Sequence, residues 1–349
     1  MDTRSDIKAL SRPAVEEALA ALGEPRFRAT QLVRWLYGKG ARSFAEMTDL
    51  PAELRTTLAA RFRISGADVA ERQVSRDGTR KYLVRFSDGV SVETVGLPDA
   101  DRLTVCFSTQ AGCPMGCAFC ATGRSGLTRD LTPGEMVDQV LLVAHDFGAR
   151  VTNAVAMGQG EPFANYGAVI AALRFMNSGD GPGIGARHLT VSTCGLIPGI
   201  ERLATEPEQF TLAVSLHSAV QAARDRLMPG VRGVKLPALR ATVAAYADST
   251  GRRPTLEYAL ADGVNDTDAE LDALLAFCDG LMCHVNLIPV NPVADTGFAR
   301  SPRERAVYFR DALKRAGTEA SVRVERGADI DAACGQLRQR LPEASPAGS

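Results

Sequence analysis

The chain has 349 residues, enough for one large domain with small additions, and its 45% hydrophobic and 23% charged residues are those of a globular protein. A formal net charge of -1 gives no global electrostatic case for nucleic-acid binding. No apolar run of the roughly 18 residues needed to span a bilayer occurs, the start of the chain lacks a signal-peptide stretch, and three of the eight cysteines share one motif rather than forming a secreted disulfide framework. A cytoplasmic protein without a membrane role is expected, and a monomer.

Residues 12–62 read as a small helical unit. Apolar residues at helical spacing run over 15–22 and stop at Gly23; the pattern returns over 29–37 before Gly38; 52–62 follows Pro51, a residue tolerated at a helix start. Arg26, Arg28, Arg34, Lys39 and Arg42 gather around Trp35 and Tyr37, and residues 1–65 carry eleven Lys/Arg against eight Asp/Glu. Basic residues interleaved with aromatics suit phosphates and exposed bases; a solvated helix face over an aromatic anchor fits the same pattern. Over 69–93 the period changes to alternation, in KYLVRF and VSVETV, with Asp77-Gly78 and Asp88-Gly89 as turn signals.

From Leu103 strand-like runs alternate with helix-length segments: LTVCFS, NAVAM, HLTVST, TLAVSLH, PTLEYAL, CHVNLIP and SVRVE. Thr132 and Glu135 have capping-box spacing, with Pro133 at the first helical turn. Repeated βα units predict an α/β fold whose parallel sheet curves into a full or partial barrel, with chemistry at the C-terminal strand ends. The expected organisation is a helical accessory domain over 1–65 that contacts RNA if the basic-aromatic reading holds, a strand-rich bridge over 66–98, a catalytic domain over 99–340 and a disordered tail over 341–349.

The segment after the first barrel strand carries Cys113, Cys117 and Cys120 at C-x3-C-x2-C spacing, with Phe119 before the third. Three thiolates held this closely are metal ligands. A structural zinc closes with four protein ligands, whereas a [4Fe-4S] cluster on three cysteines keeps one iron open for a small molecule. Zinc with a distant fourth ligand stays open at this point. Other strand ends also carry polar words: Gly160-Glu161-Pro162 after NAVAM, Ser192 in HLTVST, Ser215 and His217 in TLAVSLH, and Asn291 past NLIP. Each alone has an ordinary reading as a turn, cap or core residue. Cys278 and Cys283 lie in apolar segments and read as core thiols.

A three-cysteine loop after the first barrel strand with GEP after the second resembles the radical S-adenosylmethionine (SAM) superfamily. The words CFSTQAGCPMGCAFCATGRSGLTRDLT, MGQGEP, VSTCGLIPGI, LAVSLH, EYALADGVND, VNLIPVNP and RGADIDAACGQL, together with GEPRFRATQLVRWLYGKGARSFAEMTDLP near the start, narrow the resemblance to the adenosine methyltransferases of 23S ribosomal RNA and tRNA, the RlmN/Cfr group. The likeness spans about residues 10 to 338.

The resemblance implies a radical-SAM partial (β/α) barrel in which Cys113, Cys117 and Cys120 hold a [4Fe-4S] cluster. It implies SAM contacts at Gly160, Glu161, Ser192, the Ser215-Leu216-His217 segment and Asn291, and two SAM molecules per turnover. By the same resemblance Cys334 takes a methyl group from one SAM, a radical from the second activates that methyl toward adenine, and Cys106 releases the product by forming a transient disulfide with Cys334. Glu93 matches the proposed proton acceptor. Gly327 and Gly335 flank Cys334 as a mobile segment would require. The implied partners are 23S rRNA, with tRNA as a second target, and a low-potential electron donor such as flavodoxin or ferredoxin. Carbon 2 of adenine is the leading site of methylation; carbon 8 of the same base would use the same cysteines. A non-catalytic RNA-binding protein folded by a metal is the remaining alternative. The chain departs from the family pattern after His217, where Val220-Gln221 stands, and at Gln159 before GEP.

Overall fold

Alternating apolar runs place a ten-stranded sheet at the centre of the computed structural model, which describes residues 4–293 and 296–337. The expected tail over 341–349 lies outside the described residues. In chain order the sheet contains β1 (Ala67–Val74), β2 (Arg80–Phe86), β3 (Ser91–Asp99), β4 (Arg102–Cys106), β5 (Asn153–Ala156), β6 (Leu189–Thr193), β7 (Thr211–Ser215), β8 (Thr255–Leu260), β9 (His284–Pro289) and β10 (Glu319–Val322). From β4 to β10 each strand lies parallel beside its predecessor, so the βα crossovers proceed in simple succession. β1, β2 and β3 extend this sheet antiparallel at the β4 edge. The strand-rich segment over 67–99 is thus continuous with the sheet.

The core side of the parallel strands is fully apolar: Val105, Ala154, Val191, Val214, Leu256 and Val285 are all buried. Helices α4 (Pro133–Phe147), α5 (Tyr166–Asn177), α6 (Ile197–Thr205), α8 (Leu236–Thr250), α9 (Asp268–Cys278) and α10 (Arg303–Arg315) supply the covering layer, with Val140, Leu173, Ile200, Leu239, Leu274 and Phe309 among their buried residues. The Thr132–Glu135 capping box forms as its spacing predicts, and α4 ends on Gly148 in the left-handed conformation.

The N-terminal unit has its own core of Ile7, Leu19, Leu32, Leu36, Phe44, Met47 and Leu58. Its helices are α1 (Arg12–Ala20), α2 (Phe27–Val33), continued by a π-turn over Arg34–Gly38, and α3 (Ala52–Arg61). Contacts tie it to the sheet layer: the buried Lys8 is ion-paired with Asp138 of α4, and the half-buried Tyr37 and Phe175 rings meet at 4.3 Å. On its surface Lys39 Nζ lies 3.4 Å from the centre of the Trp35 ring, and the Arg26 side chain is 85% exposed.

After β10 the chain forms a strap over 323–337 that reaches back across the open side of the sheet. Gly327 N donates to Asp77 Oδ2 at 3.0 Å and Ser75 Oγ to Asp329 at 2.6 Å, both joining the strap to the β1–β2 turn. Arg326 pairs with Asp99 at 3.0 Å, and Lys81 Nζ donates to Asp331 O at 3.2 Å. Farther along, Gly335 O and Leu337 O accept from Ala121 N and Thr122 Oγ1 at 2.8 and 2.7 Å. Among the described residues no helix is long and apolar enough to cross a membrane.

Candidate active site

The strand ends and the strap enclose two joined cavities of about 170 Å3 and about 280 Å3, which share Cys120, Met157, Asn291, Arg323 and Cys334 in their linings. The smaller is lined by Cys113, Cys117 and Cys120 on the loop after β4, by Gly160 and Glu161 after β5, Ser192 on β6, Ser215 and His217 at the end of β7, and Asn291 after β9. The larger holds Cys106 at the end of β4 and Cys334 on the strap. Residues separate in sequence therefore meet where the C-terminal strand ends converge.

Two expected residues stand elsewhere. Leu216 is fully buried in the main apolar core, because strand alternation turns it to the face opposite Ser215 and His217. Its backbone N–H is taken by Glu257 O at 3.0 Å. Glu93 is buried on the same strand face as Val95, but outside both cavities, with Lys81 Nζ at 3.3 Å from its carboxylate.

The polar groups at the strand ends are held from behind. The Glu161 carboxylate accepts from Cys194 N at 2.7 Å and Phe163 N at 3.0 Å, and its burial pushes its pKa up. Gly160 has φ +107, and a Cβ there would meet Gln110 and Thr109 at 2.7 Å, so the close passage of this loop requires glycine. His217 also lies in the left-handed region, at φ +56. Its Nδ1 accepts from Ala259 N at 3.0 Å, while Asn265 Nδ2 bonds both His217 O and Ala259 O. Burial, with the Arg224 charge adding to it, lowers the His217 pKa to about 3. A ring that accepts at Nδ1 and stays neutral carries its proton on Nε2, giving the cavity a fixed donor.

The cysteines differ in setting. All eight are free thiols. Loss of water around Cys113 pushes its thiol up to about 12, with Cys117 and Cys120 adding to the shift; burial also raises Cys120. Cys117 is lowered, first through a hydrogen bond from Cys194, which is correspondingly raised. Mutual repulsion among three thiolates is relieved by a bound cation. Among the described residues no three His, Cys, Asp or Glu side chains are close enough to close on a single ion. The three motif cysteines instead surround a shared space, a donor set of soft thiolates that fits a cluster. Burial pushes Cys106 up to about 12, with Cys334 adding to it and Arg323 opposing. Cys334 is exposed.

Several lining groups escaped sequence reasoning. Arg323 directly follows β10 and lines both cavities; it stands in the middle of SVRVE, so only the strand's early end at Val322 makes it a strand-end residue. Glu257, buried on β8 and bonded by Asn286 Nδ2 at 2.8 Å, and Met157 after β5 also line the smaller cavity.

Comparison with known proteins supplies the family. Residues 5–64 match the family model described as ribosomal RNA large subunit methyltransferase N-terminal domain, and residues 107–275 match that of the radical SAM superfamily. The chain is 47% identical over 340 residues to a probable dual-specificity RNA methyltransferase RlmN from Pelotomaculum thermopropionicum, covering 97% of this chain and 92% of that protein. It is 46% identical to the protein of the same name from Geobacillus thermodenitrificans, covering 96% and 93%. The crystal structure of a radical SAM methyltransferase from Sphaerobacter thermophilus superposes with a TM-score of 0.90 at 46% identity, covering 96% of this chain and 100% of that one. The family relies on SAM and a [4Fe-4S] cluster, and the thiol-lined cavity is suited to both. The chain belongs to the RlmN family of radical SAM RNA methyltransferases.

Proposed function

We propose that this chain transfers a methyl group to carbon 2 of an adenosine in 23S ribosomal RNA, with tRNA as a second substrate, through a methyl-cysteine formed on Cys334. The observation that supports the methyl-cysteine route is that Cys106 and Cys334, from opposite ends of the barrel sequence, line a cavity continuous with the one bounded by Cys113, Cys117 and Cys120, while carbon 2 follows the relatives' name. An enzyme that methylated by direct transfer from SAM would need no such pair.

Cys113, Cys117 and Cys120 would hold the cluster, and Gly160, Glu161, Ser192, Ser215, His217 and Asn291 bound the space that would take SAM. The cluster, when bound, supplies the single electron that reductive cleavage of SAM consumes, opening a radical route to a ring carbon without a lone pair. Cys334 sulfur takes the methyl of one SAM by nucleophilic displacement, releasing S-adenosylhomocysteine; cleavage of a second SAM would let its deoxyadenosyl carbon take a hydrogen atom from that methyl, whose carbon then bonds to the ring carbon, and the adduct would return its unpaired electron to the cluster. The high pKa of Cys106 keeps that thiol protonated and out of competition for the methyl group. Glu93, which lies outside both cavities but two residues along the strand from the cavity-lining Val95, is assigned the proton lost from the ring carbon once RNA is bound. Cys106 then loses its proton and its sulfur attacks Cys334 sulfur; the S–S bond forms as the bond from Cys334 to the product carbon breaks, that carbon takes a proton to become the methyl group, and an external dithiol, itself oxidised to a disulfide, returns both thiols. Arg26, Arg28, Lys39 and Trp35 on the N-terminal unit contact RNA. A donor of flavodoxin or ferredoxin type, a monomeric state and the cytoplasm complete the reading.

Mass spectrometry of nucleosides from a strain lacking the gene tests it. Loss of 2-methyladenosine, restored by the gene, is expected; an unchanged level overturns the reading, and loss of 8-methyladenosine instead moves the reaction to carbon 8.

A further inference from the structure

Helix α7 (Gln221–Leu227) is stitched to the cysteine loop: Ala118 N donates to Leu227 O and, just past the helix, Gly230 N donates to Met115 O, each at 2.9 Å. One turn before Leu227 stands Arg224, with 0% of its surface exposed. Its Nη2 donates to Cys194 O at 2.6 Å, while Nε and Nη1, both buried, have no hydrogen-bond partner. The neighbouring carboxylate, Asp225, is taken by Gln221 Nε2 at 2.7 Å. A buried guanidinium with idle donors and no paired anion opposes folding.

The groups that share its electrostatic surroundings are Cys194, Asp225, Cys117 and His217, of which Asp225 is already held by Gln221 and His217 is neutral. Cys194 and Cys117 are hydrogen-bonded to each other, and both act on the Arg224 charge. Arg224 does not line either cavity, so it stands behind the cysteine loop and is not a SAM contact. A cluster on three thiolates is anionic and gains further negative charge on reduction, which is the anion this cation lacks.

We propose that Arg224 is a positioning residue for the cluster, a fixed cation behind Cys117 that favours one-electron reduction by the external low-potential donor and is retained against the interest of the apo fold. The proposal rests on Cys117 as a cluster ligand. Iron content of reconstituted Cys117→Ala against wild type tests that assignment, and the behaviour of Arg224 variants tests the arginine.

Arg224→Met and Arg224→Lys are prepared with and without the reconstituted cluster. The apo Arg224→Met protein is expected to melt at a higher temperature than the apo wild type, since an uncompensated buried charge is gone. Loaded with full iron, its reduced state is disfavoured at least tenfold, a shift of about 59 mV to more negative midpoint potential for a one-electron couple. Arg224→Lys restores most of the potential. Loss of iron uptake in the Met variant that Lys repairs also supports a role of charge; loss that Lys does not repair overturns it. A wild-type potential in the fully loaded Met variant overturns the proposal. So does a lower apo melting temperature or failure of that variant to fold, which would make Arg224 a structural brace.

Discussion

Glu161 and His217 stand on strand ends, with ladder bonds behind them and buried backbone donors on their side chains. Cys334 rides on a strap whose only regular element is the 3-10 turn Ala328–Ile330, held by bonds from unrelated parts of the chain. The first arrangement fixes polar groups to a fraction of an ångström; each tether of the second is worth about 1 kcal/mol. On the proposed reaction, the groups that receive a cofactor need to stay still, and the thiol assigned a methyl donor, a base and a second thiol needs a segment that can be released piecewise. The contrast predicts that strand-end and loop changes act on binding and stability, whereas strap changes act on turnover with the cluster retained.

The largest effect is expected from Cys113→Ala, which should abolish cluster binding and all methylation; retained iron would remove Cys113 from the ligand set. Cys106→Ala should stop the reaction after one event, with RNA covalently attached to Cys334 on a denaturing gel; recovery of only free RNA would refute the assigned roles. Gly327→Val tests the strap directly. Gly327 has φ +64, and a Cβ would meet Ala332 and Thr79 at 2.8 Å, a strain of about 1–3 kcal/mol for an L residue there. Turnover should fall roughly tenfold or more at unchanged iron content, and a parallel loss of iron would erase the distinction between the two walls.

Smaller effects follow from pH. The folded pKa of His217, about 3, lies below its ordinary 6.5, so its contribution to stability is present above 6.5 and is lost as pH falls toward 3, by about 1.4 kcal/mol per unit. The apo melting temperature should decline over that window, and His217→Asn, which tolerates the left-handed backbone, should flatten the slope. For Asp77, burial works upward, but hydrogen bonds from Thr79 and from Gly327 N outweigh it and hold the carboxyl at about 2. The strap should therefore keep its hydrogen-exchange protection above about pH 4 and lose it as pH falls toward 2, with Asp77→Asn weakening it at every pH. Equal protection in the variant would show that this clip does nothing.

The parallel strands were legible because each is a local apolar run with turn signals, and the strand-end rule gathered GEP, Ser192, Ser215 and Asn291 before any coordinates. Partnership across strands was not. Glu93 reads as an acid in an alternating strand, and only the β2–β3 register brings Lys81 beside it. Leu216 was carried along with its neighbours by resemblance, although the period of two sends its side chain into the core. Arg224, in QAARDRL, has the look of a solvated helix face; its burial depends on how α7 seats against the cysteine loop. The π-turn at Arg34–Gly38 likewise left no mark in the helical spacing.

The simple succession of the parallel strands has a kinetic consequence. Each βα unit docks on the one just before it and closes only a short loop, whereas Ser75 and Asp329 are 254 residues apart and Thr122 and Leu337 are 215 apart. Contacts of such separation carry the greatest loop-closure cost, so they follow the sheet in the order of folding. The strap is then expected to be the last part of the molecule to settle, and until Gly335 and Leu337 accept from Ala121 and Thr122 the wall they add beside the cysteine loop is missing.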